Sequence, residues 1–209
     1  MRILATVFSV SLLVGCGNDV TKEESVQQIF DGFQPTITKI IETGLEAKDA
    51  STSGANITPV TTSGVEQGTM TIGGSIAQSG SQNQNFNLWV QLDDDYSDTE
   101  GLAFNTDNTD DTTKLQFGLQ IQSQPADNLM TGTLAGALEV SGDVDGTAIF
   151  DLRFTTDLDD DDANPVVICS KVVGTVEADG ATVDLDFISP EDTTALDQTQ
   201  IDKCDAYAP

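Results

Sequence analysis

The chain has 209 residues, with 35 acidic side chains against 8 basic ones, no histidine and a net charge of −27. A balance this negative repels phosphate backbones and anionic headgroups, and so excludes nucleic acid as a partner. Without histidine there is no usual general base, no usual zinc ligand and no serine–histidine arrangement, which leaves a carboxylate pair as the one catalytic chemistry open.

Residues 1–15, MRILATVFSVSLLVG, carry one positive charge and then an apolar run too short for a permanent span, the pattern of an export signal. The run ends in Leu13-Val14-Gly15-Cys16, which resembles the lipobox of bacterial lipoproteins. The resemblance implies cleavage before Cys16 and lipidation of its thiol, with three acyl chains, palmitate among them, on the mature N-terminus. One acyl chain binds a membrane only marginally, whereas three hold firmly, so the membrane is a partner through the N-terminal lipid. Gly17 stands where an aspartate would favour the inner membrane, so the outer membrane is favoured in a source that has two. An ordinary secretory signal with an incidental cysteine is the alternative. The resemblance covers residues 1–20 alone and implies nothing about the mature domain.

Once Cys16 is acylated, Cys169 and Cys204 remain as an even pair in an exported chain, and a disulfide between them is predicted. Residues 16–22 form a short tether, and 23–209 read as one β-rich domain. Over 23–47, Val26, Ile29, Phe30, Phe33, Ile37, Ile40, Ile41 and Leu45 recur at helical spacing as one apolar stripe. Thr21 or Ser25 can cap this helix, and Pro35 should kink or split it. Its polar face is too acidic for a membrane surface, so the stripe is predicted to pack against the rest of the domain.

Residues 49–67 are small and polar, and read as a surface linker. From 68 to 189 the apolar period becomes two. Inward sets are Met70, Ile72 and Ile76; Phe86 to Leu92; Leu115 to Ile121; Met130, Leu134, Leu138 and Val140; Ala148 to Phe154; Val166 to Val176; and Val183 to Phe187. A segment at Leu102–Phe104 adds an eighth. Asp179-Gly180 is a two-residue hairpin signal that pairs Val176 with Val183 and Val172 with Phe187. The predicted fold is a mainly β (α+β) domain, a curved antiparallel up-and-down sheet or open barrel of seven to eight strands packed on the N-terminal helix. Ser189-Pro190 reads as a helix start. The tail, 190–209, should return over the outer face to bring Cys204 to Cys169.

Three aspartate-rich segments, 93–100, 105–111 and 157–162, offer oxygens of the kind calcium takes, although none matches an EF-hand. The candidate ligands are Asp93, Asp95 and Asp98 with Asp159, Asp160 and Asp161, provided that the two loops share one end of the sheet. Calcium is the one cofactor this pattern suggests. Trp89, on the polar face among Asn and Gln residues, is a candidate for stacking on a sugar ring. Asp151 and Arg153 read as an exposed ion pair.

Together these features predict a non-catalytic cell-envelope lipoprotein, a membrane-anchored binding or structural module for an envelope protein or ligand that the sequence does not identify. The alternatives are a carrier with an apolar ligand in the concave sheet and, behind it, a carboxylate-dependent hydrolase.

Overall fold

The computed structural model describes residues 21–49, 56–79, 83–106, 117–124, 129–158, 167–189 and 198–207. The export signal and Cys16 lie outside them. A long helix, α1 (Lys22–Asp49), precedes the strands β1 (Asn56–Ser63), β2 (Gln67–Ser79), β3 (Asn83–Ser97), β4 (Leu102–Asn105), β5 (Phe117–Gln124), β6 (Leu129–Gly142), β7 (Gly146–Leu158), β8 (Val167–Ala178) and β9 (Ala181–Ser189), and a short helix, α2 (Gln198–Asp205), follows.

A capping box opens α1. The Thr21 hydroxyl accepts from the Glu24 N–H at 3.2 Å, while the Glu24 carboxylate accepts from the Thr21 N–H at 2.8 Å. Pro35 lies inside α1, which continues past it as one helix rather than two. The hydrogen bond that proline forgoes is offset by apolar burial on either side of it: Phe33, Ile37 and Ile40 are all fully buried. The side chain of Leu45 falls outside the described set.

All nine strands join one antiparallel sheet, mainly β in class, and successive strands are neighbours apart from one shared position. β4 and β5 both lie between β3 and β6. Leu102 pairs with Gly142 and Asn105 with Glu139, while Phe117 pairs with Gly136 and Gln124 with Leu129. β4 and β5 therefore run in the same direction as two halves of one lane, interrupted by 106–116.

The linker predicted over 49–67 contains a strand instead. β1 pairs with β2, from Asn56 opposite Ser75 to Ser63 opposite Thr69, with a register shift between Ile57 and Val60. That irregularity and Pro59 break the two-residue period, and an edge is where a strand tolerates proline.

The β8–β9 hairpin has the predicted register, Val176 opposite Val183 and Val172 opposite Phe187, around Asp179 (φ 49°) and Gly180 (φ 75°). These positive angles at both turn positions suit the twist of the flanking strands. The apolar stripe of α1 and the inward residues of the strands are buried in a single core. Phe33 is the hub of the core aromatics, with its ring centroid 4.7 Å from that of Phe104, 4.8 Å from Phe150 and 5.7 Å from Phe117. Gly32 and Gly44 admit the sheet closely. A Cβ on either would come within 2.6 Å of Leu102 Cδ1 or 2.4 Å of Leu119 Cδ2. α1 also touches both edge strands, β1 and β9.

Candidate functional site

With apolar side chains turned inward, the alternate residues form the outer face, and strand register places them in rows. Asn87 pairs with Gln120, Gln120 with Thr133 and Thr133 with Arg153, one row across β3, β5, β6 and β7. The adjacent row runs Asn85, Gln122, Thr131. Both rows line a cleft of about 450 Å³ whose polar side chains, among the described residues, are amides, hydroxyls and the Arg153 guanidinium, with no carboxylate among them.

Arg153 is exposed, and the ion pair predicted with Asp151 does not form. Residues two apart on a strand share a face but stand about 7 Å apart at the backbone, and Asp151 lies in the next row, opposite Ala135 and Thr175. The described lysine side chains behave differently. Lys22 pairs with Asp179, Lys39 with Asp98, Lys171 with Asp186 and Asp205, and Lys203 with Asp157. Among the described residues Arg153 is the cation without an acidic partner.

Trp89 lies on the same outer face and is 39 % exposed. Its indole leans over Gly73, where a Cβ would meet Trp89 Cζ2 at 2.5 Å and Pro59 Cγ at 3.1 Å. It thus covers β2 rather than the cleft. Its neighbour on the other side, Gly118, has no side chain within 4 Å of where a Cβ would stand.

Of the six calcium candidates, Asp93, Asp95 and Asp98 lie among the described residues. Because β4 and β5 share one lane, the count of chain reversals changes by one. The β3–β4 connection falls at the sheet end where Leu102 meets Gly142, whereas β7 ends beside Leu129, with Asp157 opposite it. Measured along β6 from Leu129 to Gly142, these ends are a strand length apart, about 43 Å at ~3.3 Å per residue. Asp159, Asp160 and Asp161 lie outside the described residues.

Each near-end aspartate is otherwise engaged. Asp93 accepts from Gln91 at 3.0 Å, and Asp95 accepts from Asn105 Nδ2 at 2.8 Å. Asp98, with a side chain only 3 % exposed, accepts from Tyr96 Oη at 2.7 Å, Thr36 Oγ1 at 2.8 Å, Lys39 Nζ at 2.9 Å and the Val65 N–H at 3.0 Å. Burial pushes its carboxyl up, but the donors Tyr96, Lys39, Thr36 and Val65 outweigh that and hold it below the ordinary value. The Tyr96 phenol is pushed up by burial and by the Asp98 charge it faces. Asp98 is thus a joint between α1, the β1–β2 turn and β3. A second cleft, about 420 Å³, includes Glu66, Asp95 and Glu100 in its lining. Among the described residues no three acidic or cysteine side chains are grouped to hold a metal ion.

On the far side of the outer face Cys169 is bonded to Cys204, with Cα atoms 6.4 Å apart. This brings α2 over β8. Lys171 donates to Asp205 at 2.7 Å and Lys203 to the buried Asp157 at 2.6 Å, flanking the disulfide. Ser189 ends β9 and α2 spans Gln198–Asp205, while the helix start predicted at Ser189-Pro190 falls on 190–197, outside the described residues.

No family model matches the chain, and neither does any curated protein or solved structure. Among the described residues no helix is long and apolar enough to cross a membrane.

Sequence reasoning found the outward position of Trp89 and the disulfide, but it missed the cleft. The signal was present as alternate polar residues, Asn85 and Asn87, Gln120 and Gln122, Thr131 and Thr133. Seeing them as adjacent rows requires the β3–β5–β6 register, which the interrupted lane conceals.

Proposed function

We propose that the chain is a non-catalytic lipoprotein of the cell envelope, anchored through acyl chains on Cys16 and acting as a binding or structural module at the membrane surface. The lipobox supports the anchor, and Gly17 favours the outer membrane where the source has two. In this reading the sheet is an open barrel and α1 is its permanent occupant.

The filled interior is the observation that carries the choice of a binding module over a carrier. Phe33, Ile37, Ile40 and Ile41 occupy the space between the inward faces that cargo would need. Binding is thereby moved to the outer face, where the cleft at Arg153 lies. A carboxylate-dependent hydrolase would need two acids about 5–10 Å apart across a cleft. The described lining of the Arg153 cleft offers none, so the module reading treats it as a recognition surface.

The test is growth of a bacterial host expressing the full chain with labelled fatty acid, followed by envelope fractionation. Label in the protein and recovery with membranes, both lost in Cys16→Ser, is the expected result. Unlabelled protein released freely from the envelope would overturn the anchor, and a binding role would then have to stand without it.

A further inference from the structure

We propose that the outer-face cleft around Arg153 binds an acidic sugar, a polyhydroxylated ligand carrying one carboxylate, whether free or as a unit of a glycan. This rests on the reading of the domain as a binding module and names its ligand class.

Arg153 is the first reason. The chain holds 35 acidic residues, and the described lysine side chains find acidic partners, yet the one arginine beyond position 2 is left without one in a cleft wall. Its guanidinium offers a planar fork of donors that matches a carboxylate at two points. A lysine would supply charge without that geometry.

The rest of the lining supplies the second reason. Asn87, Gln120 and Thr133 share the row with Arg153, and Asn85 and Gln122 stand in the next. Carboxamides and hydroxyls can each donate and accept, as sugar hydroxyls do, so a set of them serves a ligand rich in hydroxyl groups. A volume of about 450 Å³ lies in the range of small-ligand sites.

Net charge limits the anion. At −27 the protein's own field opposes each negative charge that a ligand brings, so a single carboxylate is tolerated better than a phosphate dianion.

Gly118 gives the third reason. It lies between Trp89 and Ala135 in the row beside the cleft, and glycine inside a strand weakens it. Packing does not demand this one, because an added Cβ would meet only backbone oxygens, at 3.6 and 3.8 Å, in ordinary contact. The bare position leaves a flat floor on which a ring can rest between the indole and the polar rows.

The experiment uses the full processed chain in detergent micelles, with calorimetry and the emission of Trp89, the single tryptophan, as readouts. The probes are galacturonate, a trimer of one galacturonate and two galactose units, the matching neutral galactose trimer and inorganic phosphate. Saturable binding of a uronate is expected, with the neutral trimer weaker by about tenfold or more, as loss of a charge-assisted pair implies. Arg153→Gln should lose a similar factor, and Gly118→Val should melt no lower than the native protein yet bind more weakly. Preference for the trimer over galacturonate identifies a glycan, and equal affinity identifies the free sugar acid. The proposal is overturned if no uronate saturates at millimolar concentration, or if phosphate or the neutral trimer binds as well. Native affinity in Arg153→Gln or Gly118→Val overturns it too. Envelope anchoring is read separately through Cys16, so loss of the ligand class leaves the anchor intact, and the reverse.

Discussion

Lys39 on α1 places its ammonium 2.9 Å from the carboxylate of Asp98 at the end of β3, and the Asp98 side chain is almost wholly buried there. Tyr96, Thr36 and the Val65 N–H complete its shell. Removing a buried charge partner typically costs about 3–5 kcal/mol, because the remaining charge and donors are left unsatisfied. Asp98→Ala should therefore destabilise by roughly 3 kcal/mol, measured from the urea midpoint.

The same carboxyl sets a pH dependence. Its folded value lies below the unfolded one, so the unfolded chain binds the proton first as pH falls. The stabilisation it gives is complete above the unfolded value, near pH 4, and is lost as pH drops through the folded value. Urea midpoints from neutral pH down to that range should fall less steeply in Asp98→Asn than in the native protein. Identical slopes would remove Asp98 from the account of acid sensitivity.

Phe33 sits among Phe104, Phe117 and Phe150 with no exposure. Truncation to alanine leaves a cavity in a close-packed aromatic cluster and should cost about 3–5 kcal/mol. A loss within error would mean that the helix is not held in the core.

The tail is fixed by one covalent link flanked by two ion pairs. Cys204→Ser should destabilise by roughly 2–4 kcal/mol, and a non-reducing peptide map of the native protein should recover Cys169 and Cys204 in one linked species. Lys203→Met should weaken the tail as well, since it strands the buried Asp157 carboxylate.

Calcium should act on this protein only through screening. Asp93 and Asp95 each accept from a neighbouring amide, and Asp98 is already saturated with donors. Thermal melts in calcium chloride and in sodium chloride of matched ionic strength should shift equally. A larger shift with calcium would reveal a specific site, since a ligand that binds only the folded state raises its stability.

Local chemistry made some of the fold readable. Asp179-Gly180 fixed a hairpin because only a few residues accept positive φ at both turn positions, and the parity of the flanking valines then followed. Thr21 was one of two caps the sequence offered for α1, and its reciprocal bonds with Glu24 select it over Ser25. Other features depended on long-range pairing. β1 was hidden by Pro59 and a bulge, and β4 and β5 read as two strands although they share one lane. That one miscount put the amide rows out of sight. Arg153 and Asp151 read as partners from spacing alone, whereas the guanidinium lies in the cleft row and Asp151 in the next.

Whether the module is lipid-anchored turns on the fate of Cys16. Protein extracted from membranes with detergent should be digested and its N-terminal peptide weighed by mass spectrometry. A peptide that begins at Cys16 and carries diacylglycerol and an amide-linked acyl chain is the predicted result. A chain that retains residues 1–15, or that begins elsewhere with Cys16 unmodified, would contradict the lipid-anchored module.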